Sequence, residues 1–158
     1  MKRGAFVKAV GTFISLAIVI VAVSSFFIFK NFLVWPAFLG LGIINLIVLK
    51  FLKIKFKTIY SDFIFGCIDN GILVFAATLG SVFAGVAGAV IGGVTGNTIT
   101  DGIGGIFEGS IVENQKRSKA ASKRTALSTM LGKMTGCLFG AGGSLALLWL
   151  ISLVWLSI

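Results

Sequence analysis

Apolar residues in this chain run in long blocks, with the charged residues gathered between them. A helix needs roughly 20 apolar residues to cross a hydrocarbon core about 30 Å thick. Five blocks approach that length. Residues 10–29 carry no charge, and residues 33–49 place Pro36 in the first turn, where a missing backbone N–H costs little. The others are residues 61–79, the glycine-rich stretch 84–112, and residues 134–156 with a helical lead-in from about Ser122. The pattern predicts an all-α integral membrane protein of about five transmembrane helices, forming a single transmembrane domain over residues 1–158. Residues 79–85 leave room for a tight outer turn around Gly80 to Phe83, or for a re-entrant break between the third and fourth blocks. The first block also has the outline of a signal peptide, with Lys2, Arg3 and Lys8 ahead of it and small residues at Ala22-Val23-Ser24. Its apolar run is longer than most such segments, which favours a retained helix.

Composition agrees with the pattern. Hydrophobic residues make up 57% of the chain and charged ones 12%, about half the share usual in a soluble domain, so a water-facing surface could not be covered. Fourteen Lys and Arg against five Asp and Glu give a formal charge of +9. A basic chain suggests nucleic acid, but here the bases flank apolar blocks instead of forming a soluble face, and no nucleic-acid partner is expected. Lys2, Arg3 and Lys8 precede the first block. Lys50, Lys53, Lys55 and Lys57 follow the second, and Lys116, Arg117, Lys119, Lys123 and Arg124 follow the fourth. Only Lys30 falls in the first hairpin loop. Three basic clusters on alternate loops predict a cytoplasmic N-terminus and a C-terminus outside or in a lumen. The chain has no His, which removes imidazole chemistry, and no Ser stands beside an evident base, so no enzyme is expected.

Small residues recur at every fourth position. One ladder runs Gly80, Ala84, Gly88, Gly92, Gly96, Thr100, Gly104, and a second Gly85, Ala89, Gly93, Asn97, Asp101, Gly105, Gly109. The fifth block repeats the spacing with Gly132, Gly136, Gly140 and Ser144. Lipid gives helices little hydrophobic reason to associate, so close backbone approach through small residues does that work. Gly88, Gly92, Gly96, Gly132, Gly136 and Gly140 are the expected packing positions, within one bundle or between protomers.

The five carboxylates all lie between residues 62 and 113: Asp62, Asp69, Asp101, Glu108 and Glu113. Asp62 and Asp69 are two turns apart on nearly one helix face, as are Asp101 and Glu108, with Asn97 a turn earlier. If the third and fourth blocks pack antiparallel about residues 82–85, Asp69 meets the Asn97–Asp101 level and Asp62 the Glu108 level. Ionisable groups at membrane depth are costly and mark ion or proton paths, and facing carboxylates need a cation or proton between them. Asp69, Asp101, Glu108, Asn97 and Asp62 are therefore the candidate ion-binding and translocation residues. Met130, Met134 and Cys137 share one face of the fifth block and would serve either as soft metal ligands or as packing; Cys67 reads as packing. Lys133 is a possible charge partner for Glu108 or Asp101, or a lysine snorkelling to the interface.

The run Phe65-Gly66-Cys67-Ile68-Asp69-Asn70-Gly71-Ile72-Leu73-Val74, followed by Gly85-Val86-Ala87-Gly88-Ala89, resembles the first span of the vacuolar iron transporter (VIT) family. Asp101-Gly102, Phe107-Glu108-Gly109-Ser110 and Gln115-Lys116-Arg117 resemble its second. The likeness covers about residues 63–117. Asp69-Asn70 and Glu108-Gly109 stand in reversed order, the spacing differs by about a turn, and the family's acidic cytoplasmic domain is replaced by a basic loop. The chain is also similar to small glycine-zipper membrane proteins. The first resemblance implies a dimeric carrier of ferrous or related divalent ions using Asp69 and Glu108; the second implies no chemistry.

Together these readings predict a cation transporter or channel, preferably for a divalent metal and open to proton coupling through the same carboxylates, working in the bilayer as a homodimer or higher symmetric oligomer. No cofactor is expected apart from a bound or carried divalent ion. The alternative is a non-transporting accessory protein acting through helix–helix contacts.

Overall fold

The computed structural model describes residues 3–29, 34–115 and 124–156, with side chains described throughout these except at 3, 28–29, 107–115 and 154–156. The described chain is helical apart from short connections: α1 (Arg3–Phe29), α2 (Val34–Phe51), α3 (Phe56–Gln115) and α4 (Ala126–Leu156). All four helices are long and apolar enough to cross a membrane. The expected count of five is not what the helices give directly, because the third and fourth blocks belong to one 60-residue element.

That element doubles back on itself. Ala84 and Gly85 leave the helical conformation, and Gly85 takes φ +58° and ψ −136°, a region that side chains with a Cβ hardly enter. Either side of this break the chain pairs antiparallel. Gly80 lies against Gly88, Ala76 against Gly92, Ile72 against Gly96, and Phe65 against Gly104. The turn thus falls just after the Gly80–Phe83 segment expected to form it, and those residues stay helical. The outermost residues of the hairpin, Phe83 and Val86, are almost fully exposed, as apolar residues facing lipid would be.

The ladders explain how closely the pieces pack. A Cβ on Gly80 or Gly88 would overlap the other's carbonyl, and one on Gly92 would overlap that of Ala76. α4 packs on the first arm of α3, residues 56–83, by the same device. Gly132 faces Ile59 and Asp62, Gly136 faces Phe63, Gly140 faces Cys67, and Ser144 donates a 2.9 Å hydrogen bond to the Gly71 carbonyl. The constant offset between those partners makes the two helices parallel. α2 runs antiparallel to α4, with Gly42 on Phe139, Gly142 on Leu39 and the Trp35 and Trp149 rings 5.8 Å apart. α4 touches every other helix and is the hub of the bundle.

These directions bring one end of the bundle together from the start of α1, the α2–α3 connection and the start of α4. There Leu49, Ile59 and Leu131 form a buried cluster, flanked by Leu46, Ile54, Leu127 and Met130. α2 closes with a Schellman motif: Ile54 N–H donates to Leu49 C=O and Lys53 N–H to Lys50 C=O, each at 3.0 Å. Lys53 therefore sits at φ +56°, where glycine is preferred. Lys53→Gly is expected to raise stability by about 0.5–1 kcal/mol, less whatever the more flexible unfolded chain gives back, read as a higher unfolding midpoint in detergent. α4 opens with a reciprocal cap, Ser128 N–H donating to Thr125 Oγ1 at 3.1 Å and Thr125 N–H to Ser128 Oγ at 2.8 Å.

Candidate functional site

Helical rise places Asp69 about 23 Å along the first arm from the turn, and Asp62 about 34 Å along it. With a hydrocarbon core about 30 Å thick, a turn at one boundary leaves Asp69 inside the membrane and Asp62 near the opposite, basic end. The two acids accordingly have different surroundings.

Asp69 is half-buried where the two arms of α3 meet. Its carboxylate accepts a hydrogen bond from the Thr100 hydroxyl, and Thr100 is fully buried on the second arm. Thr100 Oγ1 also lies within hydrogen-bond distance of the Gly96 and Asn97 carbonyls, 3.1 and 3.0 Å away. This hydroxyl occupies a ladder position where neighbouring rungs are glycine, and it makes a polar contact between the arms. On the α4 side, Asn70 Nδ2 donates to the Cys137 carbonyl at 3.4 Å, and Cys137 lies within electrostatic range of Asp69, Cys67 and Lys133. Lys133 holds its ammonium 4.8 Å from the centre of the Phe65 ring, a cation–π distance.

Asp62 is almost completely buried, and Arg124, at the entry to α4, forms an ion pair with it. The expected partner level for Asp62 was Glu108, whose side chain lies outside the described residues. Arg124, taken from sequence as one of several topology-marking bases, has this second role. Breaking a buried ion pair from one side costs about 3–5 kcal/mol. Because Arg124 retains some solvent contact and Asp62 keeps its other interactions, Arg124→Gln is expected to cost up to about 3 kcal/mol. Adding Asp62→Asn should return part of that loss. Unfolding titrations of the two single variants and the double variant check this.

Asp101 faces outward. It is exposed on the second arm and accepts a 2.9 Å hydrogen bond from Asn97 Nδ2, one turn earlier on the same helix. Asp69 and Asp101 are thus neighbours in level, through Thr100, but not in direction. The second ladder carries this outward pair, and a Cβ at Gly102 or Gly105 beside it would meet nothing.

Met130 packs against the buried Leu49–Ile59–Leu131 cluster, Met134 is half-buried along α4, and Cys67 and Cys137 are free thiols. Among the described residues no group of three or more His, Cys, Asp or Glu is placed to hold a metal ion. Thr100 and Arg124 are the residues that reasoning from charge alone passed over. A threonine on a glycine ladder was the available signal for the first; nothing local signalled the second. No family model, no curated protein and no solved structure matches this chain.

Proposed function

We propose that this integral membrane protein moves a cation across the bilayer past Asp69, between the two arms of α3 and the face of α4. The observation that carries the reading is the Asp69–Thr100 contact: a carboxylate at membrane depth, inside the bundle, set against a buried hydroxyl. Intramembrane carboxylates in bundle interiors are used for ion and proton passage. The site supplies few protein ligands, which suits a proton or a divalent ion that keeps part of its water shell, as Mg²⁺ does. The resemblance of residues 63–117 to the VIT family supports the divalent form of this reading.

The two arms of α3 are, on this reading, separate crossings, giving five in all. Gathering of the basic residues at one end of the bundle supports a cytoplasmic N-terminus. The outward Asn97–Asp101 pair supports a homodimer, since a second copy on the same face would take these polar groups out of lipid and bring a second carboxylate to the level of the first. The accessory reading is supported by a different observation: Gly80, Gly88, Gly92 and Gly136, Gly140 are all consumed in close packing.

Flux measurements separate the two. Purified protein in liposomes should move H⁺, Mg²⁺, Mn²⁺, Fe²⁺ or K⁺ faster than protein-free vesicles, for at least one ion. Rates equal to empty vesicles for all of them would leave the accessory reading standing alone.

A further inference from the structure

At the basic end of the bundle, the start of α1 and the entry to α4 border an open cavity of about 440 Å³ lined by Ala5, Lys8, Arg124, Thr125, Ala126 and Leu127. Two side chains of this lining are cationic, Lys8 on α1 and Arg124 in the segment entering α4; the rest is small or apolar apart from Thr125. Arg124 is anchored from behind by buried Asp62, which fixes the guanidinium at the cavity without occupying all five of its N–H donors. Lys8 is exposed and contributes an ammonium from the α1 side. The first turn of α4, also in the lining, adds partial positive charge of the same sign. Cations on two walls and an apolar floor fit a singly charged phosphate group whose remainder is apolar.

The geometry points to this cavity as a binding site for a phosphate-bearing anion, supplied by the headgroup of an anionic phospholipid of the adjoining leaflet. Arg124 presents a planar fork to the phosphate oxygens, Lys8 closes the other side as a point charge, and Ala5, Ala126 and Leu127 receive the start of the acyl chains. The site is separate from Asp69 and stands whether or not the protein carries an ion.

Native mass spectrometry of the full chain tests it, with phosphatidylglycerol and phosphatidylcholine of identical acyl chains as probes. The wild type is expected to retain phosphatidylglycerol in preference. Lys8→Gln should lower that preference about fivefold, the equivalent of one basic residue near a membrane surface. Ala5→Leu, which fills the cavity without changing charge, should lower it too, with both variants unfolding at the wild-type midpoint. In a parallel arm, inorganic phosphate should leave the wild-type unfolding midpoint unchanged. A rise that Lys8→Gln abolishes would keep the phosphate site and assign it to a soluble ligand. Equal retention of the two lipids with no response to phosphate, or a phosphatidylglycerol preference untouched by both variants, would overturn the proposal.

Discussion

Gly136→Ala is expected to loosen or dissociate α4 from the first arm of α3, with a large loss of stability. A Cβ at Gly136 would overlap the Phe63 carbonyl and crowd the Cys67 amide nitrogen, 3.0 Å away. Both are backbone atoms inside a helix and cannot rotate aside, unlike the ring of Phe139 that borders Gly42. The helices must therefore move apart, and neighbouring contacts at Gly132 and Gly140 open with them. In lipid no hydrophobic force compensates for lost contact between apolar helices, so the damage is not repaired by repacking. Overpacking costs about 1–3 kcal/mol where side chains can adjust, and the upper end or more is expected here. Gly143→Ala is the control. A Cβ at Gly143 meets nothing within 4 Å, so only the gain in helix propensity remains, up to about 1 kcal/mol in favour of the variant. Unfolding followed by tryptophan fluorescence, with Trp35 and Trp149 in contact at the far end of α4, reads both variants. Equal midpoints for Gly136→Ala and the wild type would show that this helix pair is not closely packed.

Much of this architecture is legible because lipid simplifies the code. Block length marked the apolar helical stretches but not their count, and four-residue spacing identified which glycines would meet backbone: Gly88, Gly92 and Gly96 face the first arm, while Gly132, Gly136 and Gly140 face it from α4. Spacing did not say which ladder would be used inside the molecule. The two ladders of the second arm differ in sequence by one residue of rotation, about 100°, and only the three-dimensional pairing puts Gly88 inward and the Asn97–Asp101 stripe outward. The turn at Ala84–Gly85 lies within residues 79–85 and just beyond Gly80–Phe83; its exact place is not marked because every residue from 80 to 88 is small or apolar and hydropathy has no edge there. Counting along two antiparallel helices fixes levels well, and Asp69 does lie against the 97–101 stretch. It leaves rotation open, and so it joined Asp69 to Asp101 where the structure joins Asp69 to Thr100. The Asp62–Arg124 pair connects residues far apart in the chain through a loop entry whose position no local pattern specifies.

Asp69→Asn is the second large effect, and its direction differs between flux and stability. The amide has nearly the shape of the carboxylate and can still accept a hydrogen bond from Thr100, so packing between the arms should survive. What disappears is the negative charge, and with it the attraction for a proton or cation at that depth. Ion flux is expected to fall at least tenfold, to the level of protein-free vesicles. A charged residue at the centre of a membrane helix costs about 2.5–3.5 kcal/mol on insertion scales, so neutralising Asp69 should leave the unfolding midpoint unchanged or higher. A purely structural carboxylate would behave in the opposite way, losing stability as its partners are left without a counter-charge and leaving flux alone. Thr100→Val refines the test by keeping the charge and removing the donor hydroxyl. It should reduce flux by a smaller factor, because a carboxylate without its hydroxyl still attracts cations but is no longer held in one orientation. Asp101→Asn, on the exposed face, should change flux less than Asp69→Asn in a single chain and comparably if a second copy brings that face to the path. Full flux in Asp69→Asn together with a lowered midpoint would move Asp69 from the ion path to the scaffold, and the search for a path would shift to the Asn97–Asp101 stripe.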